Sequence, residues 1–314
     1  MIYIGTVGEG LWRSDDDGET WAPEPGLPPD ARIYSLAVSL DDRLYVGARG
    51  VLYRRDGRRW SALSLPNSDS DFEVWALGVH PLGPSVILAG CRPLALLETE
   101  DDGKRWWSLG LALPPGTPEP HTPRVTAILF DRGHPEKVWA GVEVGGVFEA
   151  RGRVPAAKPW VRTWVPINEG LLSLDIHALA LAADGAILAA TPRGVAVYDG
   201  ERWAPAVSDS PDRYFRALAS KPGEPATLYA GLGDGPPGTR GTVLISTDGG
   251  RHWAGTGFPG AASSVWSIAT DPREPGLVVA AAIKGEVFVS RDGSRSWARA
   301  SRTFAEIRAV ACAS

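Results

Sequence analysis

The stretch Ser14-Asp15-Asp16-Asp17-Gly18-Glu19-Thr20-Trp21 decides the fold, because the chain returns to it. Residues 99–106 repeat it as Thr-x-Asp-x-Gly-x-x-Trp, 246–253 as Ser-x-Asp-x-Gly-x-x-Trp and 290–297 as Ser-x-Asp-x-Ser-x-x-Trp. Shortened copies, Asp-Gly-x-x-Trp, stand at 56–60 and 199–203. These residue types specify a hairpin turn. Gly18, Gly57, Gly103, Gly200 and Gly250 supply positive φ without a Cβ clash. Asp16, Asp101, Asp248 and Asp292 are placed to accept hydrogen bonds from the turn's own amides, helped by hydroxyls such as Ser14. Trp21, Trp106, Trp253 and Trp297 then open the next strand and cover the turn with a large apolar body. The motif is therefore read as a structural lock. A calcium loop over Asp15–Gly18 would need Glu at its twelfth position, and that position is Gly26.

The Trp residues that follow the turns, from Trp21 through Trp60, Trp106, Trp164 and Trp203 to Trp253 and Trp297, recur about every 46 residues. A period of that size with four strands per unit marks propeller blades. First strands are expected at 33–38, 74–79, 125–130, 176–181, 215–220, 265–270 and 307–312. Second strands often end in a small residue, as in Leu44-Tyr45-Val46-Gly47 and Leu228-Tyr229-Ala230-Gly231. The fourth unit is degenerate: residues 151–159 replace the turn, and either Trp160 or Trp164 stands in the Trp position. The seventh first strand comes after the last Trp, whereas the chain opens on a second strand, 2–6. Strand 307–312 is thus expected to complete the N-terminal blade, which closes the ring and removes sheet edges. The expectation is an all-β, seven-bladed β-propeller of four-stranded antiparallel blades, a single domain over residues 1–314.

Composition narrows the function. A net charge of −5 without any Lys/Arg block argues against nucleic-acid binding. No apolar run approaches the roughly 18 residues of a membrane span, and the opening residues 1–6 read as a strand, not a leader, so a soluble, cytoplasmic monomer is expected. Cys91 and Cys312 form neither a disulfide framework nor a zinc pattern and are read as small buried residues. No metal or cofactor is expected: there is no Gly-x-Gly-x-x-Gly after a strand, no phosphate-binding loop, no His-Glu-x-x-His and no Gly-x-Ser-x-Gly.

The repeated turn resembles the Asp-box, or bacterial neuraminidase repeat, and Val265-Trp266-Ser267-Ile268-Ala269-Thr270-Asp271-Pro272 followed by 277–281 looks like that superfamily's blade signature. The resemblance covers essentially the whole chain. It implies the propeller fold, shared by sialidases, xyloglucan-degrading glycosidases, sortilin-type receptors and photosystem II assembly propellers, and leaves the activity open because these differ. The Arg-Ile-Pro segment of sialidases is absent. Arg216 and Arg308 match two of their three arginines, and Tyr214 the nucleophile, only loosely. Xyloglucanases use two propellers and about twice this length.

A site is expected on the face opposite the Asp turns, where the longer links 111–122 and 232–240 lie. The opening positions of the first strands ring that mouth: Tyr34, Trp75, Thr126, His177, Arg216, Trp266 and Arg308. Around them stand Arg32, Glu73, Arg124, Asp175, Tyr214, Ser264 and Glu306, and the second-to-third turns add Glu9, Arg49, Arg92, Glu143, Arg193, Asp234 and Lys284. Eight of these 21 positions are basic and six acidic, on a chain that is acidic overall, so the mouth favours an anionic ligand or partner. The candidate ligand residues are Arg216, Arg308, Trp266, Lys284, Trp75, Tyr34, His177, Arg49, Arg92 and Arg193. Two functions compete. One is a non-catalytic binding or assembly propeller for a protein partner or an anionic small molecule or glycan. The other is a glycoside hydrolase or carbohydrate-binding protein, with aromatics stacked on sugar and a carboxylate pair of which one member has a raised pKa.

Overall fold

The computed structural model describes residues 1–66, 72–113, 122–152 and 163–313. Seven antiparallel sheets of four strands form a ring, and their first strands contact one another in sequence around the axis. The N-terminal blade joins Ile307–Cys312, Ile2–Thr6, Leu11–Ser14 and Ala22–Pro23 in that order. The pairing runs from Ile2 opposite Cys312 to Thr6 opposite Ile307, so the two ends of the described chain share one sheet as the repeat count requires. The fold is a seven-bladed β-propeller. Among the described residues no helix is long and apolar enough to cross a membrane.

Burial follows strand position. Second strands such as Ile2–Thr6, Leu44–Ala48 and Val278–Ala282 are buried at every residue, because a neighbouring blade covers each face. Hence these segments read as continuous apolar runs instead of alternating ones. Fourth strands lie at the perimeter, and Ala22–Pro23 and Ala298–Arg299 are exposed throughout. The small residue closing a second strand has a packing cause: a Cβ at Gly47 would come 2.7 Å from the Val74 carbonyl oxygen of the next blade. Both cysteines are buried, and burial pushes both thiols up, Cys312 to about 12.

Two features depart from the repeat. Val207–Ser208 adds a fifth, parallel strand outside His252–Gly255 in the sixth blade, where the link from the fifth blade crosses its edge. In the degenerate fourth blade Trp164 lies in the fourth strand, Thr163–Pro166, and is buried. Trp160 and most of the Pro-rich link 111–122 lie outside the described residues.

The turn motif is built as its residue types require. The Ser14 hydroxyl accepts from the Gly18 amide at 2.7 Å and donates to Asp16 at 2.8 Å, and Asp16 accepts from the Thr20 amide and hydroxyl at 2.9 and 2.6 Å. Thr99, Ser246 and Ser290 repeat the hydroxyl's part. The Thr20 hydroxyl holds the Asp16 carboxyl down to about 2, Arg105 does so for Asp101, and Ser296 for Asp292. Burial works against this at Asp248, but hydrogen bonds from His252 and Ser246 outweigh it and hold that carboxyl at about 2 as well. Trp21 and Trp253 donate to Gly18 and Gly250 of their own turns, while Trp203 of a shortened copy donates to Ile167 in the preceding link. In the last copy Ser294 takes the Gly place, with φ of 73°.

Ser246 is 1% exposed and satisfies the buried Gly250 amide. Ser246→Ala leaves that donor unpaired and is expected to cost about 1–2 kcal/mol in urea unfolding. Binding at the opposite face should not change. Wild-type stability in the variant would show that the hydroxyl is dispensable to the lock.

Candidate functional site

A first strand starts at one face, the second returns to it and the third leaves again, so the Asp turns end up on the far face and the strand openings on this one. All seven opening residues, Tyr34, Trp75, Thr126, His177, Arg216, Trp266 and Arg308, line a single axial cavity of about 270 Å³. The next residue of each strand forms a second ring of Ser or Ala, and the one after it a ring of aliphatic residues from Leu36 to Val310.

The opening residues face inward for a specific reason. A regular innermost strand turns its side chains onto the two blade faces and offers the axis only backbone. Here the register slips by one residue at Tyr34, Trp75, Thr126, Arg216, Trp266 and Arg308, each skipped in the pairing with its second strand. Such a bulge re-aims the extra residue off the sheet face. His177 precedes its strand, Ala178–Leu181, and its amide still donates to Ala190.

At the mouth, guanidinium groups alternate with indoles. Arg124 lies 3.8 Å from the Trp75 ring centre, Arg308 lies 5.2 Å from Trp75 and 4.7 Å from Trp266, and Arg216 lies 4.0 Å from Trp266. These stacks are cation–π contacts, and they occupy ring surface that a sugar would need. Tyr34 packs on Trp75 at 5.0 Å. Glu73 holds both aromatics, accepting from the Tyr34 hydroxyl and the Trp75 indole at 2.7 Å each, and it also pairs with Arg92 at 3.3 Å. Burial would raise the Glu73 pKa, but these donors outweigh it and lower it. The hydroxyl of Tyr34 is pushed up to about 12 by burial and by the Glu73 carboxylate.

The three arginines are not equivalent. Arg308 is paired with Glu306 at 2.5 Å, and Arg124 with Glu143. Arg216 is 6% exposed and has neither a hydrogen bond nor an ion pair among the described residues. Burial draws its guanidinium down to about 10, which leaves it charged at neutral pH. Its charge and, above all, burial lower the His177 pKa, and the His177 Nδ1 contacts the Phe215 carbonyl at 2.6 Å. His177 is therefore a wall residue whose charged form is disfavoured, although Asp175 lies 3.5 Å from its Nε2 and opposes the shift.

Other expected residues lie away from the cavity. The Lys284 ammonium donates to the Gly238 carbonyl at 2.9 Å and pins the long link after Gly233. Asp234, held at about 2 by the Thr239 hydroxyl, ties the same link internally. Arg193 lines a separate depression of about 300 Å³ with Arg213 and Trp253. Arg49 is exposed and pairs by backbone with Arg32. Conversely, Arg124 and Tyr214 join the mouth although sequence placed them only in its surround: Arg124 stacks on Trp75, and Tyr214 packs between His177 at 4.7 Å and Trp266 at 6.5 Å. Their position two residues before the opening position was the available signal, since alternate strand residues share a side.

No family model and no curated protein matches the chain. Solved structures do. A chain of the mitotic checkpoint complex aligns at 16% identity over 95% of this chain and 90% of its own, with a TM-score of 0.67. YCF48 bound to a D1 peptide aligns at 16% identity over 95% and 88%, with a TM-score of 0.59. A glycoside hydrolase family 74 enzyme from Niastella koreensis aligns at 14% identity over 97% of this chain but 47% of its own, with a TM-score of 0.41, so the chain spans about half that enzyme's length. At these identities the likeness is one of fold.

Proposed function

We propose that this chain is a binding propeller of the Asp-box type, acting as one domain over residues 1–314, whose channel mouth captures an acidic group of a partner or small ligand. The observation that carries this reading is Arg216: a guanidinium buried against Trp266, with no hydrogen bond or ion pair among the described residues, opening on the axial cavity and sharing its field with the more distant Asp175 and Glu143 carboxylates. A buried charge is costly unless something pairs with it, and a carboxylate, sulfate or phosphate supplies the pair through charge-assisted bonds. Arg308 adds a second guanidinium whose Glu306 partner is exposed and displaceable. Propellers of the same fold in complex with a D1 peptide and within the mitotic checkpoint complex support a binding role for the scaffold.

Hydrolysis fits the mouth less well. It needs a carboxyl with a raised pKa facing a carboxylate. Glu73, Asp175 and Asp234 are all held below their ordinary values, in each case by hydrogen bonds from neighbouring side chains or amides. Glu143 and Glu306 are occupied by arginines.

The test is titration of the protein with inorganic sulfate and with an oligo-glutamate peptide, at low salt and at about 0.5 M salt, where the Debye length is a few ångströms. Saturable binding is expected for both, with the peptide weakened more by salt because its outer charges stay exposed. Absence of saturable binding by either probe at low salt would remove the anion-binding reading.

A further inference from the structure

His177 stands beside Arg216 in the opening ring, and both nitrogens of its imidazole face acceptors. Its side chain is 1% exposed, so the protein itself must supply their partners. Nδ1 lies 2.6 Å from the Phe215 carbonyl oxygen. A carbonyl only accepts, so Nδ1 carries a proton. Nε2 lies 3.5 Å from Asp175 Oδ1. In the neutral ring the Nδ1 proton is the only one, which leaves a lone pair on Nε2 facing a carboxylate oxygen. That oxygen is buried and has no hydrogen-bond partner among the described residues. Only the imidazolium satisfies both ends, donating to Phe215 from Nδ1 and to Asp175 from Nε2.

The surroundings oppose that second proton. Burial disfavours the charged ring and the Arg216 guanidinium adds a like charge, while Asp175 and the Phe215 carbonyl work in the other direction. The charged and titratable groups around the ring come from three blades. Asp175 precedes the first strand of the fifth blade. The sixth supplies Arg216 and Tyr214, whose ring packs on His177 at 4.7 Å. The fourth supplies the paired Arg124 and Glu143, and the Arg124 charge is felt at Asp175. Among these, Arg216 is the cation that acts directly against protonation of His177.

We infer that the mouth takes up a proton together with its anion: an anion on Arg216 cancels the like charge beside the ring, and His177 then holds a proton from solvent between Asp175 and the Phe215 carbonyl. This rests on the anion-binding reading above and adds its regulation. The coupling is reciprocal, so the factor by which the anion raises the proton affinity of His177 is the factor by which the proton raises anion affinity. Its sign follows from charge: the imidazolium adds a cation to the mouth, and affinity rises as pH falls through the histidine range. Phe215 directly precedes Arg216, so the charged ring also strengthens the hydrogen bond that holds this strand opening.

The experiment is calorimetric titration of the intact protein with sodium sulfate from about pH 8 to about pH 5.5, which spans the histidine range. Each titration is run in two buffers of different ionisation enthalpy. Sulfate stays fully ionised throughout, so its own protonation contributes nothing. The sulfate Kd is expected to fall about tenfold from the upper to the lower pH, with proton uptake read from the difference in heat between the buffers. His177→Gln cannot titrate and should bind sulfate with one Kd at every pH and without proton uptake. A wild-type Kd independent of pH would overturn the inference while leaving the anion-binding reading in place. So would a pH dependence that persists unchanged in His177→Gln, because the proton then belongs to another group. Absence of sulfate binding at every pH would overturn both. Should His177→Gln misfold, Asp175→Asn decides: it removes the carboxylate that favours the imidazolium, so the rise in affinity should move to lower pH, and an unmoved profile overturns the inference.

Discussion

Deletion of residues 305–314 is expected to abolish cooperative folding. The segment supplies the innermost strand of the N-terminal blade, and without it Ile2–Thr6, buried at every residue, becomes an open edge. Ile307, Ala309, Val310, Ala311 and Cys312 all lie buried in that strand. Further stitches run to both sides: the Val7 amide donates to Glu306, Ile307 to Ile283 and Ala313 to Met1. Just upstream, Phe304 packs edge-on against Trp12 and Trp21, at 5.7 and 5.2 Å. Each fully buried aliphatic side chain contributes about 1.5–3 kcal/mol, so the loss is of the order of a domain's whole stability, roughly 5–15 kcal/mol. A blade that buries its faces only against neighbours also cannot be removed locally. Ile307→Ala provides a graded version: a single fully buried side chain, expected to cost about 2–5 kcal/mol while preserving the fold. Circular dichroism melts of both variants check this. A deletion variant that melts as the full chain does would refute closure by this strand.

The second large effect separates function from stability. Arg216→Met is expected to lower anion affinity at least tenfold and, at the same time, to raise the melting temperature. Arg216 is buried on Trp266 with no hydrogen bond or ion pair among the described residues, and the unfolded chain returns that charge to water. Replacing a buried ionic group by an apolar one of similar size is neutral or stabilising by about 1–4 kcal/mol. Met keeps the contact with the indole through its flexible thioether. Arg308→Met should behave differently, because Arg308 already pairs with Glu306. Its removal leaves the exposed Glu306 carboxylate to water and changes stability little, though it too weakens anion binding. The thermal melt and the sulfate titration read the two effects independently. If Arg216→Met binds sulfate as well as wild type, the unpaired guanidinium is not the anchor. If it loses stability, the buried charge is compensated by some group outside the channel.

The division between what was legible in the chain and what was not follows from the range of the interactions. The turn chemistry is local: Ser14, Asp16, Gly18 and Trp21 meet within eight residues, so their bonds are implied by their spacing. Counting the recurring Trp and first strands yields seven blades, and the offset between the opening strand and the last Trp yields closure through 307–312. The seven opening residues could be aligned for the same reason. Their inward aim is another matter. It depends on a one-residue slip between first and second strands, a feature of pairing that leaves no mark in residue type. The partners of each charge were likewise out of reach. Arg216, Arg308 and Lys284 look alike in sequence, but the fold gives Glu306 to Arg308, the Gly238 carbonyl to Lys284 and, among the described residues, no hydrogen bond or ion pair to Arg216. Arg216 and Gly238 stand in the sixth blade, Lys284 in the seventh and Arg308 in the N-terminal blade, so closure of the ring sets which neighbours each charge meets. The sequence by itself determined the ring and which residues stand at its mouth. Only the tertiary structure decided which of those charges lies buried with no hydrogen bond or ion pair among the described residues, because burial and pairing depend on distances between blades, whereas the repeat encodes contacts within one.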